Sequence, residues 1–156
     1  MAMAMLLKAF LETEGINYDL VHHGYSSHAM HAAEVAHVSG EKVAKGVLLH
    51  DEHGYTLAVL PATHKIDMDE LSKQYHRAFS LAGESELAGL FNDCEVGAVP
   101  AVGKAYDVEV IMDDSLNDSP DIYFEAGDHA DLVHVGSADF RHLMGDAPHG
   151  IFSRHI

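Results

Sequence analysis

Lys45 stands out of place. In "VAKGVLLHD", residues 43–51, the alternation is that of a strand, with Val43, Lys45, Val47 and Leu49 on one side and Ala44, Gly46 and Leu48 on the other. Both sides are apolar, so such a strand is covered on both, and the ammonium falls where a hydrocarbon belongs. A cation there must find a partner, lose its proton or face a solvent-filled pocket. The third placement is a functional one.

A second unusual stretch is "CEVGAVPAVGK", residues 94–104, in which Gly97, Pro100 and Gly103 recur among small apolar residues. Proline removes a ladder donor and glycine weakens a strand, so the segment is not a regular interior strand throughout. It reads either as a turn at a sheet edge or as bare backbone brought close to a ligand. Farther on, "EAGDH", residues 125–129, leaves Gly127 and His129 at a strand exit, where a histidine is a surface-turn residue or a polar pocket residue.

Two other constellations carry less. Cys94 is the only cysteine; it has no evident base and orienter beside it, and Glu95 gives a thiolate no support, so it reads as structural. Among the fourteen histidines, His28 and His31 are three apart, and Glu34 and His37 continue the three-residue steps. Such steps drift around a helix, and neither a cysteine pair nor HExxH accompanies them, so solvated surface histidines and no metal are expected. GxSxG, Walker A and dinucleotide fingerprints are absent from the sequence.

The elements that position these residues follow from periodicity. Residues 4–14 predict a helix stopped by Gly15; "INYDLVHH" predicts a strand; Ser26 or Ser27 precedes a short helix through "MHAAEVAHV", closed near Gly40. The Lys45 strand turns at "DEHG" and returns as "YTLAVLP" in a hairpin. "DMDELSKQY" and "GESELAGLF" predict amphipathic helices, "DVEVIM", "DIYFEA" and "LVHVG" predict strands, and Ser137 or Asp139 begins a last helix through Met144. Helices and strands mix without a regular βαβ repeat, which predicts an α+β fold with a mixed sheet in one domain over residues 1–156.

A chain of 156 residues with 47% apolar content is long enough for a real core, and no run approaches the length of a membrane span. The opening "MAMAMLLKAF" reads as the start of a helix and not as a signal peptide, and the lone cysteine excludes an internal disulfide, so a reducing cytoplasm is expected. The net charge of −16 repels DNA and anionic membranes. Its distribution is uneven: Lys42, Lys45, Lys65, Lys73, Arg77 and Lys104 supply six of the nine basic residues, whereas between Asp107 and Asp146 only Arg141 is basic. A local basic mouth on an acidic body is compatible with this pattern.

Taken in chain order, the lysine within an apolar strand, the glycine/proline segment and the strand ending in "AGDH" resemble the YbaK/prolyl-tRNA synthetase editing-domain family. The resemblance runs from "MHAAEVAHVSGEKVAKGVLL" through "CEVGAVPAVG" to "IYFEAGDHADLVHVGSADF". It implies a partly barrel-like mixed sheet surrounded by helices, and hydrolysis of wrongly charged aminoacyl-tRNA. The family's strand lysine falls on Lys45, and its substrate-gripping loop on Gly97, Ala98, Val99 and Pro100. Two departures stand out. Gly46 replaces the usual Thr or Ser after the lysine, and Val96 stands where the synthetase-type loop begins with glycine.

The resemblance implies an ester between an amino acid and the 3′-terminal adenosine of tRNA as substrate. Lys45 would anchor phosphate or ester oxygens, the loop would meet the developing oxyanion, and a small pocket would admit only small amino acids. His28, Gly46, Gly103, Gly127, His129 and Asp131 are the expected substrate-binding residues. The implied partners are the tRNA acceptor end and an aminoacyl-tRNA synthetase that presents it; neither a cofactor nor a metal is implied. The rival reading, favoured by the charge, is a non-catalytic binding module of the same fold; a histidine-based metallohydrolase is the third.

Overall fold

The computed structural model describes residues 3–156. Ten strands are built in chain order: β1 (Asp19–His22), β2 (Val43–Asp51), β3 (Gly54–Pro61), β4 (His64–Ile66), β5 (Ser80–Leu81), β6 (Glu109–Asp113), β7 (Asp121–Glu125), β8 (Asp131–Gly136), β9 (His149–Gly150) and β10 (Ser153–His155). The five α-helices are α1 (Met5–Thr13), α2 (Ala29–Val35), α3 (Met68–Tyr75), α4 (Glu84–Leu90) and α5 (Ser137–Met144). The expected α+β class with a mixed sheet is what the chain adopts. The main sheet has the order β1-β8-β7-β2-β3-β6-β9, with β5 added beside β2, and β4 pairs separately with β10. Pairing is antiparallel in the β2/β3 hairpin but parallel between β2 and β7 and between β3 and β6.

The period of two along each strand divides the core. Ala44 and Leu48 of β2, Leu57 and Val59 of β3, and Ile122 and Phe124 of β7 face a large cluster closed by Leu7 and Leu11 of α1 and Phe140 and Leu143 of α5. The opposite face is covered in two pieces. Val43 packs with Ala33 of α2 and Ala62, whereas Leu49 packs with Leu71 of α3, Phe79 and Phe152. Lys45 falls between those two pieces. The hydrocarbon cover of this face is therefore interrupted at the one strand position that carries an ammonium.

Local chemistry sets the starts of α3 and α4. Asp67 caps α3 by accepting from Glu70 N–H at 3.1 Å, and the Gly83 N–H before α4 donates to Glu86 Oε2 at 2.7 Å. The α2 region differs from expectation: neither serine caps it. His28 is the N-cap and accepts from the His31 N–H at 3.3 Å, and the helix ends before His37, whose φ of 59° breaks the spiral well short of Gly40. The strand expected over "INYDLVHH" contracts to β1. No described helix is long and apolar enough to cross a membrane.

Candidate active site

Lys45 is half-buried, and among the described residues its Nζ makes one hydrogen bond, a long one of 3.4 Å to the Ala62 carbonyl. Burial pulls its pKa below the ordinary lysine value, and no carboxylate offsets that. Of the three fates open to a cation in an apolar strand, the first has not occurred: no ionic partner binds it among the described residues.

The Gly97–Pro100 loop is held by its backbone. Gly97 has φ +89°, a conformation that disfavours side chains, and a Cβ there would lie 2.7 Å from the Ser27 carbonyl oxygen and 3.1 Å from the His129 ring. Ala98 N–H donates to Glu95 O at 3.1 Å, and Glu95 N–H to Gly127 O at 2.9 Å. Pro100 has no N–H. The N–H groups of Gly97 and Val99 make no hydrogen bond among the described residues, so they are the loop's available donors.

His129 fastens this loop to the sheet. Its Nε2–H donates to Val96 O at 2.7 Å, its own carbonyl accepts from Ser26 N–H at 3.0 Å, and its ring lies 5.1 Å from that of Tyr25. The acceptor is a carbonyl, so Nε2 must carry the proton. His129 is buried, has φ +62°, and leaves Nδ1 without a partner. Gly127, at φ +100°, lies against Ala4 and the Cys94 sulfur. Thus the structure brings Gly97, Gly127, His129 and the Ser27–His28 corner together.

Other expected site residues are placed elsewhere. Gly46 faces the large cluster on the far side of the sheet from Lys45, where a Cβ would come within 2.9 Å of Leu57. Gly103 is buried against Val108 and Val110 and opens a short 3₁₀ turn, Gly103–Tyr106. Asp131 is bonded to His22 at 3.0 Å and lines a groove of about 720 Å³ with Met3, Met5 and Lys8 of the α1 side. Cys94 lies 3.2 Å from Tyr106 Oη, and burial pushes its thiol up to about 12. Arg77 is committed to Asp51 by bonds of 2.6 and 2.8 Å and to Glu109 by one of 3.1 Å, which removes it from the expected basic mouth. Arg154 stands directly opposite Lys65 in the β4/β10 pair, both exposed, an arrangement of like charges that costs stability.

Sequence reasoning missed Glu125. It is 3% exposed, and neither carboxylate oxygen has a hydrogen-bond partner among the described residues. Burial, and next the charge of Asp128, push its pKa up to about 8. At Asp128 burial pushes upward too, but it is outweighed by hydrogen bonds from Asp131 and from the N–H groups of Ala130 and Asp131, so this carboxyl is held low. Among the described residues, five of the six buried side-chain polar atoms without partners belong to His23, Glu125, Asp128 and His129. Orphaned polar groups are rare in folded interiors, so their concentration around the β7–β8 turn marks a site.

Residues 26–143 match the aminoacyl-tRNA editing domain, and the chain belongs to that family, as the YbaK/prolyl-tRNA synthetase resemblance implied. Three solved structures share the fold. A scaffold protein used for computational epitope grafting is 20% identical, with TM-score 0.85 and 97% of each chain covered. A protein proposed as a trans-editing enzyme for prolyl-tRNA synthetase is 20% identical, with TM-score 0.84, covering 97% of this chain and 96% of that one. A hypothetical protein is 18% identical, with TM-score 0.82, covering 96% and 99%. No curated protein matches the chain.

Proposed function

We propose that this chain, with residues 1–156 acting as one editing domain, hydrolyses the ester of mischarged aminoacyl-tRNA. The observation that carries the reading is Lys45: an unpaired cation kept half-buried at the break between two apolar clusters, within an aminoacyl-tRNA editing domain. Lys45 Nζ holds phosphate or ester oxygens of the terminal adenosine. A water oxygen attacks the ester carbonyl carbon, and the negative charge that develops on the carbonyl oxygen is met by the N–H groups of Gly97 and Val99. The bond to the ribose oxygen then breaks, yielding tRNA with a free terminal hydroxyl, an amino-acid carboxylate and a proton. No protein nucleophile is needed because the ester is already activated. His129 is a positioning residue: its bond to Val96 O fixes the start of the loop.

The partner is the acceptor end of tRNA. Lys42, Lys65 and Arg154 offer few phosphate contacts, so a synthetase that already holds the tRNA would aid the reaction. The net charge of −16 favours the rival, a binding module of the same fold. The test is a panel of mischarged tRNAs assayed for amino-acid release with and without EDTA. EDTA-resistant release of a small amino acid supports the proposal; tRNA binding without release from any member supports the rival.

A further inference from the structure

We infer that Glu125 is the receptor for the α-ammonium group of the esterified amino acid, so that the site selects aminoacyl esters with a free amine over N-acylated ones. The inference rests on the editing function proposed above and adds a substrate requirement to it.

Strand register places the two residues. The parallel β2/β7 pair ends at Val43↔Tyr123 and Ala44↔Phe124. One position beyond, on strands about 4.8 Å apart where they pair, stand Lys45 and Glu125. Strand alternation puts both on the face of Val43 and Tyr123, opposite the cluster that takes Ala44 and Phe124. A lysine and a glutamate so placed should form an ion pair, since each is costly to bury alone. They do not. Lys45 turns to the Ala62 carbonyl, and both Glu125 oxygens are left without a partner. Burial drives each toward its neutral form.

Two opposite groups on the same face of neighbouring strands, not bonded to each other, complement a ligand with both signs of charge. The 3′ end of an aminoacyl-tRNA is such a ligand: the phosphate and ester oxygens lie on one side of the carbonyl carbon, and the α-ammonium is two bonds away on the other. With Lys45 on the oxygens, the amine is directed along the sheet face toward β7. The titratable group acting on Glu125 is Asp128, whose charge favours a cation there; the buried histidines at this end of the sheet are His129, on the β7–β8 turn, and His23, which follows β1 and whose N–H donates to Ala130 O. As the ammonium arrives, the Glu125 carboxyl proton leaves to solvent.

The test uses the full chain and an acceptor-stem minihelix carrying alanine in a hydrolysis-resistant 3′-amide linkage, with the N-acetylalanyl minihelix beside it. Charge-assisted hydrogen bonds predict roughly tenfold to hundredfold tighter binding of the free-amine probe. Calorimetry in buffers of different ionisation heat at pH 7 should show proton release with that probe alone. In Glu125→Gln both the preference and the proton release should disappear, with the melting temperature at pH 7 unchanged or raised. Equal binding of both probes by the unaltered chain overturns the ammonium site and leaves the editing proposal standing. A preference retained in Glu125→Gln, or a glutamine variant that melts lower, overturns it too and makes Glu125 structural. Binding of neither probe defeats the editing proposal and this inference together.

Discussion

Replacing Lys45 with methionine should make the protein more stable and nearly inactive. The stability half follows from the burial of its ammonium. Desolvation lowers the folded-state pKa of Lys45, with only a 3.4 Å bond to Ala62 O in return. For a lysine so shifted, the folded state is penalised while the group is charged, and the penalty fades as pH rises through the folded pKa toward the unfolded value near 10.5. At neutral pH it is fully present. The group is about half solvated, so the penalty is discounted to roughly 0.5–1 kcal/mol. Methionine keeps most of the aliphatic stem between the Val43 and Leu49 clusters and adds no charge, so a rise of about 1–4 °C in Tm is expected. The activity half follows from losing a charge-assisted contact to substrate oxygens, worth about 1.5–3 kcal/mol, or roughly tenfold to more than a hundredfold in single-turnover deacylation. Thermal melting and deacylation of the same preparation decide the matter. A methionine variant that melts below the parent, or that cleaves at the parent rate, refutes the reasoning, because either result makes the lysine a structural residue.

Gly97→Ala should lower both stability and activity: φ +89° with a side chain costs about 1–3 kcal/mol, and the new Cβ meets Ser27 O at 2.7 Å. Melting and kcat/KM check it; parental values for both would show that the loop tolerates the change. Cys94→Ser should retain most activity, since a thiol pushed up to about 12 is not a nucleophile at neutral pH; loss of turnover in a folded variant would revive covalent catalysis. Glu125 makes stability pH-dependent with an inverted sign. Its folded pKa of about 8 lies above the usual 4.5, so the folded state holds a proton that the unfolded chain has lost, and stability falls as pH rises between those values. Glu125→Gln should therefore gain in stability over the parent, read as a rising Tm difference, on going from pH 5 to pH 8, by roughly 3 kcal/mol; a constant gap between the two melting curves contradicts the shift.

Much of this site was legible because its residues violate local rules. Lys45 conflicts with its own strand pattern, and the glycine/proline segment conflicts with any strand, so both were visible from neighbours alone. Glu125 was not. In "DIYFEA" a glutamate looks like an ordinary solvent-facing strand residue, and only the parallel pairing of β7 with β2 turns it toward a covered face. Gly46 is a different case: strand alternation already put it opposite Lys45, and the fold sets Leu57 against it. His28 was expected to bind substrate, with Ser26 or Ser27 before the helix; the serines are better caps by type, yet tertiary contacts of Ser26 and Ser27 with His129 and Gly97 leave the cap to His28. Strands β4 and β10 lie far apart in sequence and are three residues each, too short for any periodicity to reveal; their pairing alone juxtaposes Lys65 and Arg154.

The central claim is that the Lys45 face performs hydrolysis and does more than bind. It is tested most directly by the single-turnover rate of amino-acid release from a mischarged tRNA saturated with the chain, measured beside spontaneous release in the same buffer. The account predicts a rate at least about a hundredfold above the spontaneous one, in line with what oxyanion donors alone contribute, unchanged by EDTA and reduced in Lys45→Met. Saturable binding of every mischarged tRNA with release no faster than the spontaneous rate would contradict it.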